Sequence, residues 1–233
     1  MTQKPLIVIP VKEFSQAKSR LGKTLSPYHR STLARRLCER TLRFLEHCFY
    51  DYDRLVVTDS SAIGKLAMDY GAMVLEEPIA DGLSQAARRA AAWACRKGYP
   101  AQLLIPADIV QLEEAEIRQL LETHQDEPFV VICPANDGGT NALLTSPPDV
   151  IPFRFGPRSA EAHRETALRL SLACQVLDLS NLRFDLDTPS DINTLGSFIQ
   201  QHGAETPQEL KKLWNLCTIP HSMTPWTAWL TTP

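Results

Sequence analysis

The chain has six cysteines, Cys38, Cys48, Cys95, Cys133, Cys174 and Cys217, but no two of them stand in a C-x-x-C spacing. That removes the usual ligand pattern of a zinc site. Several lie within apolar patterns, so they read as small buried hydrophobes in a reducing compartment. No apolar run approaches the roughly 20 residues needed to cross a bilayer. The N-terminus leads directly into strand-like sequence, without the apolar core and cleavage site of a signal peptide. A cytoplasmic location is therefore expected. An excess of one charge is also lacking: 24 basic against 27 acidic residues leave a net charge of −3, which gives no general reason for a nucleic-acid or membrane partner. There is no internal repeat, no low-complexity segment, no Walker phosphate loop and no G-x-G-x-x-G.

What the chain does have is length and periodicity. Its 233 residues, 44% of them hydrophobic, suffice for one sizeable α/β domain. Short apolar runs at Leu6–Pro10, Arg54–Thr58, Met73–Leu75, Gln102–Pro106 and Phe129–Cys133 read as strands. Between them, Pro27 to Cys48, Asp59–Tyr70, Ser84–Arg96 and Glu113–His124 carry helical spacing. In the first of these helices Ser26 is the expected N-cap, Pro27 the first helical position, and Leu33, Leu37, Thr41, Leu45 and Cys48 the inward stripe. Gly71 fits the stop of the second. The alternation predicts a mostly parallel sheet with helices on both faces. Beyond Pro134 turn residues dominate. A strand is expected at Ala142–Thr145, a helix at Ser159–Leu172, strands at Gln175–Leu177 and Leu182–Leu186, and a helix at Ser190–Gln201. We divide the chain into a domain over residues 1–205 and a tail over 206–233, which carries Trp214, Trp226 and Trp229 and either docks on the domain or meets a second subunit.

Open α/β sheets bind ligands beyond the carboxyl ends of their strands. Lys12, Lys18, Arg20 and Lys23 follow the first strand. Asp108 follows Gln102–Pro106, the turn Asn136-Asp137-Gly138-Gly139-Thr140-Asn141 follows Phe129–Cys133, and Asp187 follows Leu182–Leu186. Basic residues, two carboxylates and a glycine turn on one sheet edge form the inventory of a nucleotide and Mg²⁺ site. Taken singly, each has an ordinary reading as solvated surface, strand-end cap or tight turn. Phe155-Gly156-Pro157-Arg158-Ser159 precedes a helix, whose free N–H groups suit an anion, and Arg158 adds a cation there. His163, one turn on, reads more simply as a satisfied polar residue than as an acid or base.

Together these residues resemble a known family. Pro10-Val11-Lys12 and Ala17-Lys18-Ser19-Arg20-Leu21 are similar to the "PVK…AKSRL" opening of the 2-phospho-L-lactate guanylyltransferases and the related phosphoenolpyruvate and 3-phosphoglycerate enzymes of coenzyme F-420 biosynthesis. The resemblance continues at Val57-Thr58-Asp59, Gly82-Leu83 and Ala107-Asp108, where Ile109-Val110 replaces Leu-Pro. It extends to Asp137-Gly138-Gly139-Thr140, to Phe155–Ser159 with His163, and to Asp185-Leu186-Asp187-Thr188-Pro189, so it covers the chain to about residue 200.

It implies a GT-A-like nucleotidyltransferase fold with a Rossmann-like mixed, mostly parallel sheet, and GMP transfer from GTP to a small phosphorylated carboxylic acid, releasing pyrophosphate. Asp108 and Asp187 match metal ligands, with Asp185 in reserve. Thr140, Gly156 and Ser159 match phospho-acid contacts, and the loop with Gly82 and Ser84 is the candidate for guanine. Arg158 stands where the family has Gly, so its guanidinium is a candidate for reading the acid. The phosphate of the acid is mostly ionised near neutral pH, its second pKa being about 6, so displacement at the α-phosphorus needs no strong base. Lys12, Lys18, Arg20 and Lys23 would contact the triphosphate, Lys18 and Arg20 foremost. A molybdopterin or sugar-phosphate nucleotidyltransferase, or a non-catalytic nucleotide-binding module, remain the alternatives.

Overall fold

Short β-branched runs alternate with longer stretches at helical spacing, and the elements follow that alternation. The computed structural model describes residues 3–79, 81–123 and 128–218. In chain order they form β1 (Leu6–Pro10), α1 (Pro27–Cys48), β2 (Arg54–Thr58), α2 (Ser61–Asp69), β3 (Met73–Glu76), α3 (Leu83–Lys97) and β4 (Gln102–Leu104). Then come α4 (Glu114–Leu121), β5 (Phe129–Pro134), β6 (Thr140–Ser146), α5 (Ser159–Arg169), β7 (Ala173–Val176), α6 (Pro189–His202) and α7 (Gln208–Thr218). Ala80, His124, Trp226 and Trp229 lie outside the described residues.

The chain divides into two compact units, Met1–Glu13 with Leu37–Asp185, and Phe14–Arg36 with Leu186–Pro233. The first holds the sheet and α2 to α5; the second holds α6 and α7; α1 is shared by residue number. The seven strands lie in the order β3-β2-β1-β4-β6-β5-β7. Pairing is parallel from β3 to β4 and between β5 and β7, while β6 runs antiparallel to both β4 and β5. The sheet is mixed and mostly parallel because only the β5–β6 hairpin reverses direction.

Successive strand residues point to opposite faces. Leu6, Val8, Leu55 and Val57 pack with Ala86, Ala90 and Ala94 of α3, and Leu104, Val130, Ile132 and Leu143 pack with Ala87 and Ala91 of α3 and Ala167 of α5. The alternate set, Ile7, Ile9, Val56, Leu103, Val131 and Leu144, is equally buried, so both faces are covered. The alanine stripe leaves α3 little side chain between its axis and the sheet.

Local signals act as sequence chemistry dictates. The His29 N–H donates to Ser26 Oγ at 3.3 Å, which caps α1. Gly71, at φ 67, turns the chain after α2. Arg54, a buried cation in β2, donates to the carbonyls of Leu45, Phe49 and Gly71 and so closes the C-terminal end of α1. In the second unit Trp214 of α7 lies on α6 at Gly196, where a Cβ would overlap the indole. The cysteines are all free; Cys38, Cys133 and Cys217 are buried, as read from the sequence, but Cys95 is exposed.

One expected strand does not form. Leu182, Phe184 and Leu186 are buried in alternation, yet the backbone there makes a single bridge, Ile109 to Asp185. Its amides are taken elsewhere: the N–H groups of Asn181 and Leu182 donate to the Glu116 carboxylate, and those of Arg183 and Phe184 close turns onto Leu179 and Asn181. Alternating burial is thus kept without a ladder.

Candidate active site

In the first unit, the β5–β6 turn brings a hydroxyl pair and an imidazole together. Asp137 is used locally, its carboxylate accepting from the Gly139 N–H at 2.8 Å, and Gly138 takes φ 84. Thr140 then opens β6. Its Oγ1 lies 3.0 Å from Ser159 Oγ, at the start of α5, and 3.1 Å from His163 Nδ1 one turn later. The other imidazole nitrogen, Nε2, accepts the Arg154 N–H at 3.0 Å. Thr140, Ser159 and His163 are all buried. Burial, helped by the Arg154 charge, pushes the His163 pKa down to about 4, so the ring is neutral near pH 7.

Two further candidate segments adjoin this cluster. The Phe155 N–H donates to Ser84 Oγ at 2.9 Å, which ties the start of α3 to the segment carrying Gly156. Gly82, at φ 97 and ψ 163, precedes α3 in a conformation that is essentially glycine-only. Gly156, at φ 135, also needs glycine, and a Cβ there would meet nothing within 4 Å. Arg158 takes the left-handed conformation, φ 56 and ψ 26, which explains the glycine of the resembling pattern. Its guanidinium is paired with Glu161 at 2.6 Å on its own helix. The side chain is 81% exposed, so it stands in solvent while the hydroxyl pair is buried.

Asp108, half-buried, sits in the turn after β4. The sequence did not point to the groups that fix this turn. Arg40 donates to the Ile109 and Val110 carbonyls and Thr41 to the Ala107 carbonyl, while the Val110 N–H donates to the Phe184 carbonyl. Asn141 Nδ2 donates to Asp185 Oδ1 at 3.1 Å. Thr41 did carry a signal, as a polar residue in the apolar stripe of α1. Lys12 is exposed, also in this unit.

The second unit holds an ionic cluster. Asp187 is fixed through its backbone, its N–H donating to Asp191, and Thr188 and Asp191 form the capping box of α6. The Asp187 carboxylate lies 3.2 Å from the Arg20 guanidinium and 3.8 Å from Lys18 Nζ. Lys18 is held at φ 55 just before a single helical turn over Ser19–Leu21, and only 4% of its side chain is exposed. Lys23 is exposed. No group of three or more His, Cys, Asp and Glu side chains is gathered as for a protein-only metal site among the described residues.

The model of the CofC-like guanylyl transferase family matches residues 5–223. The chain belongs to that family. It is 42% identical over 207 residues to a protein of Colwellia psychrerythraea named 3-phospho-D-glycerate guanylyltransferase, with 89% of this chain and 96% of the relative covered. It is 38% identical to one of Rubrobacter xylanophilus named phosphoenolpyruvate guanylyltransferase, covering 81% and 91%. A Methanothermobacter thermautotrophicus protein named 2-phospho-L-lactate guanylyltransferase is 31% identical, covering 90% and 91%. A solved structure from Desulfovibrio desulfuricans G20, titled a nucleotide-diphospho-sugar transferase, superposes with a TM-score of 0.70 at 19% identity, covering 93% of this chain and 97% of that one. A nucleotidyl transferase from Methanothermobacter gives 0.60 at 14%, covering 86% and 99%. These likenesses establish the nucleotidyltransferase fold expected from the sequence, and the guanylyltransferase relatives establish the family. The buried hydroxyl pair with its imidazole, and the ionic cluster of Lys18, Arg20 and Asp187, are where candidate residues meet among the described residues.

Proposed function

We propose that this chain transfers GMP from GTP to 3-phospho-D-glycerate and releases pyrophosphate, as a step of coenzyme F-420 biosynthesis. The Colwellia relative, named for that acceptor, carries this reading. Phosphoenolpyruvate is the second reading, for which the Rubrobacter relative speaks. In either case the attacking group is a phosphate oxygen, ionised near neutral pH, and no general base is required. His163, neutral and with Nε2 occupied by an amide, is consistent with a base-free step. Lys18 and Arg20 supply charge for the triphosphate and would exchange Asp187 for phosphate oxygens when GTP binds. Thr140, Gly156 and Ser159 hold the acid; Lys12, Lys23, Gly82 and Ser84 complete the nucleotide contacts.

Magnesium belongs to this reading, with Asp108 and Asp187 as its protein ligands. The donor chemistry fits, since carboxylate oxygens are hard donors and Mg²⁺ usually takes one or two of them plus substrate phosphates. When bound, the ion would neutralise and orient phosphate oxygens. A cytoplasmic setting and a homodimer are part of the same proposal. Among the described residues no helix is long and apolar enough to cross a membrane, and light scattering reads the dimer. Pyrophosphate release with GTP, Mg²⁺ and each of 3-phosphoglycerate, phosphoenolpyruvate and 2-phospholactate in parallel tests the function. Release with 3-phosphoglycerate and GTP, and little with ATP, is expected; silence with all three acids overturns the proposal.

A further inference from the structure

The two hydrogen bonds of the His163 ring have a fixed direction. The Arg154 N–H is a backbone donor and cannot reverse, so His163 Nε2 must be the acceptor, at 3.0 Å. A neutral imidazole that accepts at Nε2 carries its proton on Nδ1. That proton is directed at Thr140 Oγ1, 3.1 Å away. Thr140 and Ser159 then have two hydroxyl protons between them and one mutual contact, at 3.0 Å. One proton fills that contact. The other is left for a further acceptor, whichever hydroxyl carries it. The imidazole is held in place by more than these bonds, because Phe155 packs edge-on against it with centroids 5.1 Å apart.

We propose that His163 is a positioning residue for acceptor binding: pinned by the Arg154 amide, it sets the Thr140–Ser159 pair to offer one O–H to an anionic oxygen of the phospho-acid. This rests on the guanylyltransferase reading and gives it a source of acid selectivity that needs no cation in the buried cluster. The opposite tautomer would hand the pair an acceptor instead of a donor and take up one of its protons. The low pKa of the ring, about 4, keeps this arrangement over the working range of pH.

The two amide side chains that mimic one ring nitrogen each separate this role from packing. His163→Asn can place an N–H where Nδ1 stands and still donate to Thr140. His163→Gln can place its oxygen where Nε2 stands, accept the Arg154 amide, and lose the donor to Thr140. With a hydrogen bond to a charged ligand at stake, His163→Gln should raise KM for 3-phosphoglycerate by about tenfold to a hundredfold, with KM for GTP within about twofold of the wild type. His163→Asn should stay within about threefold for both substrates. Equal rises in the two variants, or a rise in KM for GTP, would mean a packing role and overturn the proposal. The ¹⁵N imidazole shifts of the ligand-free wild type give a second reading that depends on neither variant folding nor any activity. A ring protonated at Nδ1 supports the assignment; one protonated at Nε2 overturns it. Should the wild type turn over none of the three acids, the functional reading falls, while these shifts still decide the direction of the chain of hydrogen bonds.

Discussion

Under the proposed function, the two clusters would hold an anion by different physics. In the first unit Thr140, Ser159 and His163 are buried and uncharged, and their bonds are directional. In the second, Lys18 and Arg20 pair with Asp187; 55% of the Arg20 side chain, 30% of that of Asp187 and 4% of that of Lys18 are exposed. A neutral buried network discriminates, because any ligand that cannot accept its hydroxyl leaves a polar group unpaired. An ionic cluster open to water on the Arg20 side attracts, is screened by salt there, and exchanges partners more readily than a buried network. The proposed function therefore places specificity for the acid in the first cluster and charge handling for the triphosphate in the second.

The largest effects should come from the carboxylates. Asp108→Asn and Asp187→Asn keep shape and remove charge, and each should lower kcat by at least about a thousandfold, with circular dichroism unchanged. Wild-type turnover in both variants would remove the metal assignment. Next, Lys18→Ala and Arg20→Ala should raise KM for GTP by roughly tenfold, the loss of one charge-assisted contact, and leave KM for the acid nearly unchanged. Wild-type KM for GTP should rise with added salt more steeply than KM for the acid. If the acid proves the more salt-sensitive of the two, the division of labour is reversed.

Acid should separate the clusters through stability. The folded His163 pKa, about 4, lies below its ordinary value of 6.5, so the unfolded chain binds the proton first. The stability this neutral ring supplies is complete above about pH 6.5 and declines as pH falls towards about 4. Between pH 7 and pH 4.5 the loss should be of the order of 2–3 kcal/mol from this group. Urea midpoints measured across that range check it, because His163→Asn removes the titration and should flatten that share of the slope. Equal slopes in both proteins would show that the ring protonates without cost.

The sequence made much of the fold legible because burial patterns and backbone breakers are local. The alternation of apolar runs marked the strands, Ser26-Pro27 marked the start of α1, and Thr188-Pro189 coincides with a capping box at α6. Leu182–Leu186 misled because alternating burial reports a face and not a ladder; the Glu116 carboxylate that captures its amides is more than sixty residues away. Of the candidate residues, Thr140 and Ser159 meet, as do Lys18, Arg20 and Asp187, and His163, read from the sequence as a satisfied polar residue, joins the first pair. What pins the pieces was not legible. Arg40 grips backbone carbonyls about seventy positions on, and the donor that orients His163 is a main-chain N–H, which carries no side-chain signature.

Arg158 should give the smallest effect. Its guanidinium is paired with Glu161 and stands mostly in solvent, and the pair holds the Glu161 carboxyl below its usual range. Exposed pairs of this kind contribute little. Its left-handed backbone is costly for any residue with a Cβ, so Arg158→Gly relieves strain in the fold while loosening the unfolded chain, two changes that oppose each other. Tm should be unchanged or slightly higher, and the ranking of the three acids should be preserved, each KM within about twofold, because no hydrogen bond of the Thr140–Ser159 pair involves the guanidinium. A reordering of the acids would place a cation in acid recognition, and the discrimination argued for the neutral cluster would then belong in part to Arg158.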